Sequence, residues 1–138
     1  MKAGIAYWSG TGNTEAMAQM FEAALAELGA EVESLSVSDG ALDVTAQDVV
    51  LLGCPAMGSE ELESDEFEPY LDSIEADLKD KKVALFGSYD WGTGEWMDTF
   101  KERMEGVGAN VLGTVIANNE PDDDCNEEIK ALCKMIAG

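Results

Sequence analysis

The sequence predicts an α/β fold: three layers around a parallel sheet, formed by residues 1–138 as one domain. Two observations carry this. Short apolar runs alternate with longer stretches of helical spacing, with no linker, repeat or low-complexity segment between them. The apolar runs are also continuous rather than alternating, as in parallel strands covered on both faces. A length of 138 residues suits one such domain, which buries roughly two-thirds of its unfolded surface.

The elements follow in order. Residues 5–8 read as the first strand. Residues 14–28 form the clearest helix, with Met17, Phe21, Ala24, Leu25 and Leu28 on one face and Gly29 as the stop. Strands are predicted at 32–37 and 49–54. A helix over 67–78 begins in an acidic turn, which suits the helix dipole. A strand at 83–87 precedes a helix over 94–104, beyond which stand Gly106 and Gly108. The last strand covers 111–117. The last helix, 122–136, opens with three Asp after Pro121 and ends near Lys134.

Eight basic side chains stand against 29 acidic ones, a formal net charge of −21. Phosphates and anionic headgroups would repel such a chain, so neither nucleic acid nor a membrane surface is expected as a partner. No run approaches the ~20 apolar residues of a membrane span, and the first ten residues lack the apolar core of a signal peptide. A cytoplasmic location is the expectation. There is no His, and Cys54, Cys125 and Cys133 have no CxxC spacing, so no metal site is expected. The three thiols read as reduced and structural. Without His, the Ser-His and Cys-His nucleophile arrangements are missing. Any chemistry is carried by something bound.

Ligands of parallel sheets bind beyond the carboxyl ends of the strands, which singles out three loops. Ser9, Gly10, Thr11, Gly12, Asn13 and Thr14 join the first strand to the first helix. Two glycines, several side-chain donors and a helix N-terminus make an anion cradle, though alone the string also reads as an ordinary Gly-rich N-cap turn. It is not a P-loop, since no Gly-Lys-Ser/Thr follows, and Glu15 stands where a dinucleotide fingerprint has its third Gly. With no Lys or Arg, it holds an anion by dipoles and hydrogen bonds. After the fourth strand come Ser88, Tyr89, Asp90, Trp91 and Gly92. Here two large aromatics suit a flat apolar ligand, unless Tyr89 and Trp91 fold back onto the core. Trp96 reads as core. After the third strand, Pro55, Ala56, Met57, Gly58, Ser59 and Glu60 offer a polarizable side chain, a glycine suited to the positive φ of a type II′ turn, and an acceptor for a ring N–H. Alone, this loop also reads as a plain turn with an acidic tail.

Taken together, SGTGNT, PAMGSEELE and FGSYDWGTGEW in this order resemble the short-chain, clostridial-type flavodoxins, over essentially all 138 residues. The resemblance implies the flavodoxin-like three-layer sandwich with strand order 2-1-3-4-5 and noncovalent FMN. It places the phosphate on residues 9–14, with Ser9, Thr11, Asn13 and Thr14 as side-chain donors. Trp91 and Met57 cover the two flavin faces, and Glu60 accepts the flavin N3–H. The backbone N–H groups of Asp90 and Trp91 serve the O2 edge. It also implies that the Gly58 carbonyl turns toward N5 on one-electron reduction, a cheap peptide flip at glycine. Ala56, Ser88 and Asn119 are candidates for ribityl and ring contacts. Two positions depart from the family pattern. Pro55 replaces a Ser that bonds the phosphate in some relatives, and Asp90 replaces a Gly. If that Gly has positive φ, Asp carries a cost of ~1 kcal/mol.

The implied function is a low-potential, single-electron carrier shuttling between the semiquinone and hydroquinone of FMN, not an enzyme. Glu60, Glu61, Glu63, Asp65, Glu66 and Glu68 crowd one segment. One carboxylate ~8 Å from an anionic reduced flavin, at an effective dielectric of ~40, costs ~1 kcal/mol, or ~40 mV for one electron. The same rim suits fast, salt-sensitive encounters with basic-surfaced redox proteins, ferredoxin-type donors and acceptors, by a monomer. A receiver domain lacks its acidic pair here, and a low-molecular-weight phosphatase lacks its Cys-x5-Arg loop. An FMN-dependent quinone or flavin reductase is the alternative. It is disfavoured by the scarcity of basic residues to receive a pyridine nucleotide. A simple FMN storage or sensing module is a further one.

Overall fold

The computed structural model describes residues 1–58 and 60–138. Strands β1 (Lys2–Tyr7), β2 (Glu31–Ser36), β3 (Val49–Gly53), β4 (Lys82–Tyr89) and β5 (Asn110–Asn118) are interleaved with helices α1 (Asn13–Glu27), α2 (Phe67–Ile74), α3 (Glu95–Gly106) and α4 (Asp123–Ala137). The strands are all parallel, in the order β2-β1-β3-β4-β5.

Successive side chains of a strand point to opposite faces, and here each face has its own core. Ile5, Val49, Leu51, Ala84 and Phe86 meet Met17, Phe21 and Leu25 of α1 and Ile129 and Cys133 of α4. Val50, Leu52, Val83 and Leu85 meet Phe67 and Leu71 of α2 and Trp96 and Phe100 of α3. The rings of Phe21 and Phe86 lie 4.9 Å apart in the first core, and Phe67 meets Phe100 edge-on at 5.8 Å in the second. This is the three-layer arrangement expected from the alternation of runs.

Three details differ from the sequence reading. β2 is an outer strand with Glu31 and Glu33 exposed, so burial on both faces applies to the central strands and not to β2. The second helix leaves α geometry after Ile74 and finishes as a 3₁₀ turn, Glu75–Leu78. β1 stops at Tyr7, which leaves Trp8 outside the strand, while β4 runs on through Tyr89.

From β1 the chain crosses to β2 on one side, then returns to β3 on the other. Connections leaving in opposite directions open a crevice at the carboxyl ends of β1 and β3. Arg103, the only arginine, links the helices of the second face: α3 reaches Asp72 at 2.6 Å, Glu75 at 2.7 Å and Glu68 at 3.1 Å.

Glu63 shows how the acidic segment is held. Its carboxylate is buried and accepts the N–H groups of Asp65, Glu66 and Phe67 at 2.8–2.9 Å, closing the start of α2. Desolvation pushes this carboxyl up, but the three backbone donors outweigh it and hold it below the usual glutamate range. A carboxyl depressed in the folded state stabilises above its unfolded value, about 4.3, and loses that contribution as pH falls through the folded one. Glu63→Ala is therefore expected to cost about 1–3 kcal/mol at pH 7 and clearly less at pH 3, measured by urea denaturation. A pH-independent difference would contradict the assignment.

Candidate functional site

At the end of β1, the Trp8 N–H donates to Gly53 O (3.0 Å). The chain then turns through Ser9, Gly10 and Thr11 to Gly12, which caps α1 at φ 96°, a left-handed conformation that suits glycine. Ser9 Oγ accepts the N–H groups of Gly12 (3.1 Å) and Glu15 (3.2 Å). This folds the loop over the helix start, where the first-turn N–H groups lack intrahelical partners. Gly10 lies on the Trp8 indole so closely that a Cβ there would sit 3.0 Å from the ring. The indole is itself oriented by Glu66, whose Oε1 accepts the Trp8 Nε1–H (3.2 Å) and the Ser38 hydroxyl (3.1 Å). Thr14 is buried, and its Oγ1 pairs with Ser88 Oγ at 3.0 Å, tying the start of α1 to the end of β4. Two hydroxyls sharing one hydrogen bond keep a second proton for a ligand.

β3 leaves the sheet through Cys54. The Cys54 carbonyl accepts the Trp96 indole N–H at 3.1 Å, and a Cβ on Gly87 would stand 2.1 Å from the same oxygen. Glycine is thus a packing necessity at that point of β4. Ala56 N–H donates to Ser88 O, after which Met57 and Glu61 pair antiparallel through two backbone bonds of 2.8 and 3.0 Å. Gly58 has positive φ (38°), as the sequence reading expects, and Glu60 is also left-handed (56°). The pairing closes over three residues, so the expected two-residue type II′ turn is corrected to a longer hairpin loop. Ser59 lies outside the described residues.

Tyr89 is half-buried against Trp96, ring centres 5.5 Å apart. Trp96 is buried, as its position in the helix predicts. Trp91 is 61% exposed at the loop tip, so of the two aromatics only Tyr89 folds back. Asp90 is exposed and is not among the residues with positive φ, so the strain considered for it does not arise. Asn119 does adopt φ 59°, and its N–H donates to Tyr89 O at 2.6 Å.

These loops enclose a cleft of about 200 Å³. Of the sequence-derived candidates, Gly10, Thr11, Asn13, Ala56, Met57, Ser88, Tyr89, Asp90 and Asn119 line it. Ser9, Gly12 and Thr14 act behind the lining as supports of the loop. Gly58, Glu60, Trp91 and Gly92 stand beyond it. Glu60 Oε1 instead accepts the N–H groups of Glu95 (2.9 Å), Gly94 (3.0 Å) and Thr93 (3.3 Å). Trp8 and Pro55 also line the cleft. From sequence, Trp8 closes a strand and Pro55 has no assigned role. An aromatic directly before a glycine-rich loop was the available signal for Trp8.

Among the described residues the lining holds no Lys or Arg, and Asp90 is the one charged side chain in it. The thiols are not poised as nucleophiles: Cys54, Cys125 and Cys133 are buried and unbridged, and burial pushes them to about 12, 11 and 12. Among the described residues no cluster of Cys, Asp or Glu could hold a metal ion. No helix there is long and apolar enough to cross a membrane. The cleft can bind and orient a ligand. It holds no His, Lys or thiolate to react with one.

The sequence matches the family model for flavodoxin over residues 5–133. It is 56% identical over 133 residues to a flavodoxin of Megasphaera elsdenii, covering 94% of this chain and 97% of that one. It is 50% identical over 136 residues to a flavodoxin of Clostridium beijerinckii, covering 95% and 99%. In three dimensions it matches the solution structure of two-electron reduced Megasphaera elsdenii flavodoxin with a TM-score of 0.87 at 55% identity, over 96% of this chain and 98% of that one. A flavodoxin from the domain Archaea matches with the same TM-score at 28% identity, over 99% and 96%. On this evidence the chain belongs to the flavodoxin family and to its clostridial short-chain type, FMN-binding proteins that transfer electrons rather than catalyse a reaction.

Proposed function

We propose that residues 1–138 act as one FMN-binding unit, a low-potential carrier that exchanges single electrons between the semiquinone and hydroquinone forms of FMN. The observation that carries this reading is the cleft at the β1/β3 switch point, polar but uncharged at its helix end and apolar along its walls. That donor set fits FMN. Thr11, Asn13 and the start of α1 offer neutral donors suited to a phosphate. Met57, Tyr89 and Trp8 offer apolar surface to a ring.

FMN supplies the redox chemistry; the chain binds, orients and tunes it. Ser9, Gly10, Thr11, Gly12, Asn13 and Thr14 are assigned to the phosphate. Ala56, Ser88 and Asn119 are assigned to the ribityl chain and ring edge, and Met57 and Trp91 to the two ring faces. Tyr89 shapes the outer wall, and Gly92, beyond it, is assigned to the ring edge. Glu60 is assigned as acceptor for the ring N3–H, the N–H groups of Asp90 and Trp91 as donors to the O2 edge, and the peptide carbonyl of Gly58 as the acceptor that answers protonation at N5. A cleft of about 200 Å³ is below the ~300–1,000 Å³ of sites that engulf a ligand, which favours a ring whose edge stays open to a partner.

A low potential is supported by charge. Arg103 already binds three carboxylates away from the cleft lining, and Asp90 lines the cleft with no cation beside it there. The acidic surface suits basic redox partners of ferredoxin type, met transiently by a cytoplasmic monomer with no role for nucleic acid or membrane.

Asp90→Gly is expected to raise the potential of the second one-electron step by about 40 mV in an equilibrium redox titration. An unchanged or more negative value would remove Asp90 from this role. Electron-transfer rates to a basic redox protein should fall steeply with ionic strength. A flat salt profile would contradict electrostatic docking.

A further inference from the structure

We infer that Glu60 is a positioning residue: its carboxylate clasps the 57–61 hairpin to the N-terminus of α3, so that the two loops flanking the cleft move as one body. The inference starts from a capping deficit. α3 begins at Gly94, which has no side chain to cap it, whereas α4 has Asp122 just before it, accepting the Cys125 N–H at 2.9 Å. The open N–H groups of Thr93, Gly94 and Glu95 are taken up by Glu60 Oε1, from a loop more than thirty residues earlier. An anion on a helix N-terminus is favoured by the dipole as well as by the hydrogen bonds.

The fit extends to the backbone on both sides. Gly92, at φ 94°, lies so close that a Cβ there would stand 2.8 Å from both Cδ and Oε1 of Glu60. A side chain at 92 would therefore push the carboxylate out of its seat. Glu60 itself holds a left-handed φ of 56°, unusual for a glutamate, and among the described residues two backbone bonds pair the hairpin. So short a hairpin is marginal in isolation. The clasp is what holds it against the 92–95 turn.

The three hydrogen bonds engage Oε1 alone, which leaves Oε2 for a ligand. The clasp thus deepens the assignment of Glu60 to the FMN ring, and its redox arm rests on that assignment. A carboxylate seated on α3 presents its second oxygen at a fixed place and limits how far the peptide at Gly58 moves. Looseness at Glu60 would reach both loops.

Amide hydrogen exchange on the full-length chain, with and without FMN, tests the clasp. Glu60→Ala is expected to lower the protection of the Gly94 and Glu95 amides about tenfold, and that of Met57 and Glu61 in the hairpin as well. Glu60→Gln, which keeps an acceptor oxygen, should restore most of both. Unchanged protection at Gly94 and Glu95 in Glu60→Ala would overturn the clasp. Loss there with no change at Met57 and Glu61 would overturn the coupling of the two loops. In the FMN-loaded protein, Gly92→Ala leaves Glu60 chemically intact but displaces it, and should narrow the gap between the two one-electron potentials. An unchanged gap would overturn the positioning role. A chain that takes up no FMN would defeat the cofactor reading, while exchange in the FMN-free chain still decides the clasp.

Discussion

At Cys54 the chain leaves the sheet fully buried, and the loops that follow β3 and β4 are placed by what packs on that one residue. Its carbonyl accepts the Trp96 indole N–H and lies where only a glycine at 87 lets β4 pass. Its thiol, kept protonated by burial, accepts the Glu63 N–H at 3.3 Å. β3, β4, the approach to α2 and the first turn of α3 are thereby fixed to one backbone unit. The hairpin that follows two residues later inherits its position from that junction. A side chain at 87 or a smaller one at 96 would disturb the cleft walls that follow β3 and β4 together, because a core packed at native density transmits such shifts.

The second constraint is charge. A chain at −21 needs places where carboxylates are favoured, and helix N-termini are such places. Glu63 closes α2, Asp122 closes α4 and Glu60 closes α3. The start of α1 is different: its cap is Gly12, with no side-chain bond, and Ser9 offers it a neutral oxygen. Among the described residues it is the one start of these four α-helices at which no carboxylate accepts a backbone N–H. An acidic protein that binds a phosphate without a cation is no contradiction, since the dipole and oriented N–H groups supply the attraction locally, while the surrounding carboxylates act over the longer distances that govern redox potential and partner approach.

Much of this was legible in the residues. The central strands, α1 to α4 and the burial of Trp96 follow from periodicity, because apolar area decides them. The glycine-rich turn into α1 follows from residue type, because few residues other than glycine tolerate φ 96°. What sequence could not display was set by long-range partners. Glu60 reads as an acceptor for a ring N–H, and nothing local shows that it also takes the N–H groups at the start of α3. Trp8 reads as the end of a strand until Glu66 and Gly10 are seen to hold its ring. Exposure of β2 goes with its place at the sheet edge, and Glu31 and Glu33 were the local signs of it. The 3₁₀ finish of the second helix has no marker among Glu75, Ala76, Asp77 and Leu78, all of which an α-helix accepts.

The central claim is that this cleft makes a one-electron carrier of bound FMN. Visible absorption during stepwise anaerobic reduction of the FMN-loaded protein tests it most directly. The account predicts a yellow protein that passes through a blue one-electron stage before bleaching. Direct bleaching with no blue stage, or a chain that takes up no FMN, would contradict it.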